Sequence, residues 1–312
     1  MSVTRLAPSP TGALHLGNAR TFLINWLMAK QNKWKIVLRI EDIDGPRIKG
    51  GADEQAIGDL RWLGIDWDEG PIYQSARTTM YREAVDSLIA SGKAYPCVCS
   101  RKEIELAASA PHAEDGSAVY PGTCRGRFKS VEEAQSVSGK PPAIRFNVTQ
   151  KVVSFLDCFA GPQRFEMAAL GDFVIAKADG TPAYQLAVVL DDATMGVKYV
   201  IRGDDLIDST PRQLLLYRAF GIAEKIPAYF HLPLVVGEDG RRLAKRHGDT
   251  RLSHYRETGV SSNRVLAYLA RTMGIEADDS ITIDELRSQF WLDRVPQQQI
   301  VFTPTDGAWL RS

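Results

Sequence analysis

The chain has 312 residues, 44% hydrophobic and 24% charged, a globular profile with enough apolar sequence for one or two cores. Lys+Arg and Asp+Glu both count 38, and a zero net charge neither marks nor excludes a nucleic-acid partner, because a basic patch can sit within a balanced total. No apolar run approaches membrane-spanning length and no basic-then-apolar leader opens the chain. Four cysteines, two of them in Cys-x-Cys, point to metal binding in a reducing cytoplasm rather than to a disulfide framework.

Val3 to Ala7 reads as a strand. Pro8, the Ser9-Pro10 step and Gly12 then forbid both helix and sheet. After Asn18 the apolar spacing turns helical, with Phe22, Leu23, Trp26, Leu27 and Met28 on one pattern. A strand running through such a loop into a helix presents unpaired N–H groups and the positive end of a dipole, which suits an anion such as a phosphate. His15 and Asn18 add side-chain donors there, one helical turn apart. Lys35 to Ile40 reads as a second buried strand and ends in Glu41-Asp42-Ile43-Asp44. A carboxylate at the C-terminal end of a parallel strand lies on the ligand-binding edge, so Glu41 is placed to meet an ammonium. Asp42 and Asp44 fit caps of the turn and the following helix, and Asp44 is assigned to that role. Helices are expected over Asp53 to Leu63 and Thr78 to Ala90, so the order strand–helix–strand–helix suggests half of a doubly wound sheet.

The texture changes at Ala94-Tyr95-Pro96-Cys97-Val98-Cys99, followed after polar sequence by Tyr120-Pro121-Gly122-Thr123-Cys124. Three thiolates on two knuckle-like turns bind zinc tetrahedrally if a fourth ligand completes them. Tyr120, water and His112 are the candidates. Cys158, between Leu156 and Phe159, reads as core. Strands are expected over Ala143 to Val148, Val152 to Leu156, Arg164 to Glu166 and Phe173 to Ala176, forming an inserted subdomain.

Tyr184 to Asp192 is an almost continuous apolar run, a buried strand or helix returning to the main core. Tyr199 to Ile201 reads as a parallel strand ending in Arg202-Gly203-Asp204-Asp205. Ser209-Thr210-Pro211 reads as a helix start, with helix over Gln213 to Phe220. The pairs Asp191-Asp192 and Asp204-Asp205 read as turn and capping residues rather than a two-metal centre, because no third acid or histidine sits at useful spacing. A strand over His231 to Val236 leads into the basic, Gly-bearing loop Glu238 to Asp249, suited to closing over polyphosphate with Lys245 as a point charge. Helices follow over Ser262 to Met273 and Ile283 to Phe290.

The string from Arg5 to Asn18 resembles the signature of class I aminoacyl-tRNA synthetases. In that family a His-x-Gly-His-like tetrapeptide heads the first Rossmann helix, and here it reads His15-Leu16-Gly17-Asn18. The leading Arg5-Leu6-Ala7-Pro8-Ser9-Pro10-Thr11-Gly12 resembles the glutamyl branch more narrowly. Arg242-Leu243-Ala244-Lys245-Arg246 resembles the second signature, Lys-Met-Ser-Lys-Ser, with Lys245 on its second lysine and Ala244 in place of serine. The resemblance implies an α/β chain: a Rossmann-type class I catalytic domain, an inserted zinc-containing α+β subdomain and a short C-terminal helical extension. Its implied divisions are residues 1–94 and 184–252 for the two Rossmann halves, 95–183 for an insert resembling an acceptor-stem-binding subdomain, and 253–312 for the extension, with no anticodon-binding domain.

The implied activity is ATP-dependent activation of L-glutamate. His15, Gly17, Asn18 and Lys245 are implied at ATP, with His15, Asn18 and Lys245 catalytic and Mg²⁺ accompanying the nucleotide. Arg5, Ala7, Ser9, Glu41, Tyr184 and Arg202 are implied at glutamate, the two arginines as carboxylate partners and Glu41 toward the ammonium. Two acceptors stay open. A short paralogue family transfers glutamate to the queuosine base in the anticodon of tRNA(Asp). It is favoured by the length, by Val188 where full-length enzymes usually place Asn, and by the pattern Cys97-x-Cys99 … Tyr120-x-x-x-Cys124, which implies one structural zinc with Tyr120 as fourth ligand. The other reading is a shortened glutamyl-tRNA synthetase charging the 3′ end of tRNA(Glu), favoured by Ser280 to Leu310, which resembles that enzyme's stem-contact region. A non-catalytic nucleotide- or tRNA-binding relative is the reading from another class. A cytoplasmic monomer with no membrane contact is expected.

Overall fold

The computed structural model describes residues 1–43, 45, 48–107, 119–243 and 248–312. The assignments made to Asp44, His112, Ala244 and Lys245 lie outside them. In chain order the elements are β1 (Val3–Leu6), α1 (Leu16–Asn32), β2 (Lys35–Ile40), α2 (Ala52–Trp62), β3 (Glu69–Tyr73) and α3 (Thr78–Ala90). Then come β4 (Ala94–Cys97), α4 (Arg101–Ala107), α5 (Val131–Ser138), β5 (Ala143–Phe146), β6 (Val152–Asp157), β7 (Gly161–Glu166) and β8 (Val174–Ala176). The chain continues with α6 (Tyr184–Thr194), β9 (Val197–Gly203), α7 (Ser209–Ala219), β10 (Ala228–Leu232) and β11 (Val235–Val236). It ends with α8 (Leu252–Glu257), α9 (Ser262–Arg271), α10 (Ile283–Gln289), β12 (Ile300–Val301) and α11 (Pro304–Arg311).

The main sheet is parallel throughout, in the order β10-β9-β1-β2-β3. Such sheets need cover on both faces, which is why their strands read as near-continuous apolar runs. Leu6, Ile36, Leu38 and Ile40 turn toward one core with residues of α1, α2 and α9. Val200 and Tyr229 turn toward a second core with residues of α3, α6 and α7. Asn25 of α1 locks helix to sheet: it accepts from the Thr4 hydroxyl at 2.8 Å and donates to the Arg5 carbonyl at 2.9 Å. The strand order reverses between β1 and β9. In an open α/β sheet the crevice at the carboxyl ends of the strands flanking such a switch point is where ligands bind.

The segment between α3 and α6 builds two antiparallel sheets, β4-β5-β8 and the hairpin β6-β7. Three sequence readings change. Tyr184–Thr194 is helix, and Asp191 and Asp192 lie buried within it rather than capping a turn. The α7 helix already begins at Ser209, so Thr210 and Pro211 sit inside its first turn. Cys158 is exposed, not core. It follows the last residue of β6, in the turn of a two-stranded hairpin with one face in solvent. Among the described residues no helix is long and apolar enough to cross a membrane.

Candidate active site

The loops after β1 and β9 open on a cleft of about 730 Å³. Its walls include Arg5, Ala7, Ser9, His15, Gly17, Asn18, Glu41, Tyr184 and Arg202. The structure therefore gathers every described residue that the sequence assigned to ATP or glutamate. Lys245 lies outside the described residues, but the chain before it lines the cleft and the chain after it is bonded to the start of α1. Arg242 lines the wall and pairs with Asp205 at 2.7 Å. On the far side, Thr250 accepts from the Leu16 N–H at 3.0 Å and Leu252 donates to the Leu14 carbonyl at 2.8 Å. These bonds stitch the exit of the basic loop to the start of α1.

At that end of the cleft His15 is the N-cap of α1, and its backbone N–H donates to Asn18 Oδ1 at 3.3 Å. With its carbonyl engaged, the Asn18 amide keeps its NH₂ as the end suited to an anion. His15 Nδ1 is buried with no hydrogen-bond partner among the described residues. Burial, and then the positive charge of Arg242, push the His15 pKa down to about 4. The imidazole is therefore neutral near pH 7 and meets an anion as a hydrogen-bond donor, not as a cation. A Cβ on Gly17 would stand 3.3 Å from His15 Nδ1 and 3.7 Å from Val235 Cβ. Glycine lets the ring fold over the first helical turn.

At the other end Arg5 and Arg202 are both 5% exposed. Arg202 Nε donates to His231 Nε2 at 2.9 Å, and Nη2 reaches Thr210 Oγ1 at 2.9 Å, Gln213 Oε1 at 3.0 Å and the Leu206 carbonyl at 3.3 Å. Nη1 has the Tyr184 hydroxyl at 3.5 Å. Every one of these partners is neutral, so a buried guanidinium faces the cleft with no carboxylate against it among the described residues. Arg5 differs: its Nε lies 3.6 Å from Asp192. Behind both, the fully buried Arg39 pairs with Asp192 at 2.6 Å, Glu41 at 3.0 Å and Asp191 at 3.7 Å. Glu41 is thus held by Arg39 at the cleft wall. Burial raises its pKa against the pull of Arg39 and Arg5. Asp42, at the strand end beside it, accepts from the Ser75 backbone N–H at 2.8 Å, capping the turn after β3.

The insert holds a second cluster. The sulfurs of Cys97, Cys99 and Cys124 lie within 4.8 Å of one another, with Cys99 and Cys124 at 3.5 Å. Tetrahedral zinc with thiolate bonds near 2.3 Å separates its sulfurs by about 3.8 Å, so the spacing suits one metal ion. The Tyr120 hydroxyl lies 3.4 Å from Cys97 Sγ and 3.7 Å from Cys99 Sγ. Arg145 donates to Cys97 Sγ at 3.4 Å and stacks its guanidinium 3.9 Å from the Tyr120 ring centroid. These three thiols are close enough together to hold one metal ion.

Residues 1–305 match the family described as tRNA synthetases class I (E and Q), catalytic domain. The chain belongs to that family. A glutamyl-Q tRNA(Asp) synthetase of Symbiobacterium thermophilum is 49% identical to this class I synthetase, over 95% of this chain and 94% of the relative. A glutamate–tRNA ligase of Citrifermentans bemidjiense is 42% identical over 99% of this chain but 65% of the relative. A crystal structure of a glutamate tRNA ligase from Elizabethkingia meningosepticum in complex with its amino acid superposes with a TM-score of 0.82 at 28% identity, over 99% of this chain and 68% of that one. The parallel α/β architecture of the synthetase is that of the class I catalytic fold.

Sequence reasoning missed several groups that shape this synthetase's cleft. Arg39 sits in a buried parallel strand, where a lone charge demands partners, and that demand was the available signal. Asp191 accepts from Gln74 Nε2 and Arg77 Nε, each at 2.7 Å, and from the Tyr81 hydroxyl at 2.8 Å. Its run of apolar neighbours disguised it as the end of an element. His231 and Thr210 carry no motif and come to Arg202 only through the fold.

Proposed function

We propose that this chain activates L-glutamate with ATP and transfers it to the queuosine base in the anticodon of tRNA(Asp). The observation that carries glutamate activation is the buried Arg202, open to the cleft and with no carboxylate against it among the described residues. A carboxylate supplies that charge with a matching two-bond geometry. The end-to-end likeness to the glutamyl-Q synthetase supports the queuosine acceptor. In this reading residues 1–94 and 184–252 are the halves of the catalytic domain, 95–183 the insert and 253–312 an extension.

Arg202 is assigned the side-chain carboxylate because, unlike Arg5 with its Asp192, it has no carboxylate against it among the described residues, and Arg5 lies beside it. Glu41 answers the ammonium, and Ser9 and Tyr184 add hydroxyls. An α-carboxylate oxygen attacks the α-phosphorus of ATP, the bond to the β-phosphate bridge breaks, and pyrophosphate leaves. Catalysis of this kind is positioning plus charge stabilisation. Neutral His15, Asn18 and the Gly17 backbone hold phosphate oxygens at the helix N-terminus, and Lys245 neutralises charge as it builds. Mg²⁺ would accompany the ATP and offset phosphate charge. A queuosine ring hydroxyl then attacks the activated carbonyl and AMP leaves. Glutamate-dependent ATP–pyrophosphate exchange tests the first step, and its absence would favour a binding relative. Transfer to tRNA(Asp) with and without queuosine tests the second, and charging of tRNA(Glu) instead would return the acceptor to the 3′ adenosine.

Lys245→Ala is expected to slow adenylate formation while leaving glutamate affinity nearly unchanged. A charge-assisted contact made mainly in the transition state is worth about 2–4 kcal/mol. Single-turnover pyrophosphate release at saturating substrates checks this, and a normal rate would remove the lysine from the reaction.

The metal is proposed to be one structural zinc held by Cys97, Cys99, Cys124 and Tyr120, with no open coordination position. Elemental analysis should find about one zinc per chain. Cys99→Ser should lose it and render the insert sensitive to protease. A fully loaded variant would contradict the ligand set.

A further inference from the structure

We propose that Asp157 and His231, neither of which lines the cleft, are positioning residues that aim Arg202 at the substrate carboxylate through a fixed imidazole tautomer. The inference deepens the glutamate reading and rests on it.

Asp157 closes β6 in the inserted hairpin, and His231 lies on β10 of the main sheet. Both side chains are fully buried. Asp157 Oδ1 accepts from the backbone N–H groups of Ala160 at 2.7 Å, Phe159 at 3.0 Å and His231 at 3.2 Å. Oδ2 lies 2.6 Å from His231 Nδ1. Burial works to raise the Asp157 pKa, but the bonds from His231, Ala160 and Phe159 bring it below the usual carboxylate range. An ionised carboxylate only accepts, so the ring proton is on Nδ1. On the opposite side Arg202 Nε stands 2.9 Å from Nε2, and a guanidinium only donates. Burial also holds the His231 pKa below its ordinary value, with Arg202 opposing protonation. Both neighbours therefore demand the same neutral tautomer.

The consequence falls on Arg202. Its Nε is fixed by the ring and its Nη2 by Thr210, Gln213 and the Leu206 carbonyl. Nη1 is the end left toward Tyr184 and the cleft. A buried Asp–His pair beneath a buried arginine is a costly way to fill space, since apolar side chains of like volume commonly stabilise as well or better. What it supplies is direction. It also makes a residue of the inserted hairpin part of the support for the amino-acid end.

The test is steady-state ATP–pyrophosphate exchange by the full chain and three variants, with KM measured separately for glutamate and ATP and folding followed by thermal unfolding. In Asp157→Asn the new amide no longer dictates the ring proton, and an Nε2–H would face the Arg202 donor. Its glutamate KM should rise roughly 10–100-fold with ATP KM within about twofold. His231→Leu should match or exceed that rise. His231→Gln, which restores an acceptor for Arg202, should recover to within about fivefold of the unaltered chain. Glutamate KM within about threefold of normal in folded Asp157→Asn would overturn the proposal, as would His231→Gln as impaired as His231→Leu. If His231→Leu fails to fold, Asp157→Asn and His231→Gln decide between them. Exchange by the unaltered chain keeps the two levels apart: none at all overturns the glutamate reading, whereas normal exchange with indifferent variants overturns only the pair.

Discussion

Arg202→Ala is expected to lower kcat/KM for glutamate about 10³-fold in ATP–pyrophosphate exchange, roughly 4 kcal/mol of lost transition-state binding. The guanidinium is 5% exposed and its hydrogen-bond partners, His231, Tyr184, Thr210, Gln213 and the Leu206 carbonyl, are all neutral. A substrate carboxylate supplies a charge that balances it directly, and without Arg202 that carboxylate enters the cleft poorly compensated. The same logic sets amino-acid choice. Glutamine presents an amide to a guanidinium left uncompensated, so the unaltered chain should prefer glutamate over glutamine by about 10³ or more without an editing step. Aspartate should fail because its shorter arm cannot reach both arginines. In Arg202→Ala the glutamate rate falls toward the glutamine rate and the preference collapses. Arg202→Lys restores charge but not the two-bond fork, and should recover only part of the loss. Glutamine exchange within about tenfold of glutamate in the unaltered chain would show that Arg202 does not read the side chain, and would reopen the glutaminyl branch.

The strands and helices that place this site were legible because each obeys one clear period. Lys35 to Ile40 is short, apolar and bounded by turn residues, and α1 carries its apolar residues at helical spacing. The long string from Arg5 to Asn18 marked the cleft, since a strand, a proline loop and a helix N-terminus admit few other arrangements. The α6 segment was ambiguous for a physical reason. Leu186 to Ala193 is buried on all sides, so neither a helical nor an alternating apolar pattern survives to distinguish the two. Asp191 and Asp192 gave no sign of their partners, which arrive from β1, β2 and the turn before α3, more than a hundred residues away. Cys158 looked internal because Leu156 and Phe159 flank it. In a two-stranded hairpin, apolar neighbours do not guarantee cover, and Leu156 itself is 70% exposed. The Cys97, Cys99, Tyr120 and Cys124 pattern was readable as a possible ligand set, while the cation from Arg145 beside it came only with β5.

Asp192→Ala is expected to destabilise the fold by about 3–5 kcal/mol, the usual consequence of removing one side of a buried ion pair. Asp192 is 2% exposed and lies 2.6 Å from Arg39 and 3.6 Å from Arg5. Burial works against the charge on Arg39, but Asp192, Glu41 and Asp191 together hold its pKa above the ordinary value. Without Asp192, Arg39 keeps Glu41 and Asp191, while Arg5 loses its only carboxylate partner among the described residues. A loss of that size is a large fraction of the roughly 5–15 kcal/mol that holds a typical domain folded. Urea unfolding followed by circular dichroism should show the midpoint falling with little change in slope. The double-mutant cycle with Arg39→Met assigns the cause. If Asp192 acts through Arg39, the double variant should lose less than the sum of the singles by roughly 1–3 kcal/mol, because each single change breaks the same Asp192–Arg39 pair and the double breaks it only once. Strictly additive losses would place the effect of Asp192 on Arg5 and the surrounding packing instead. Activity separates from stability in the same set. Glu41 and Arg5 both reach the cleft and both belong to this network, so the double variant, even where it unfolds cooperatively, should remain unable to support glutamate-dependent exchange.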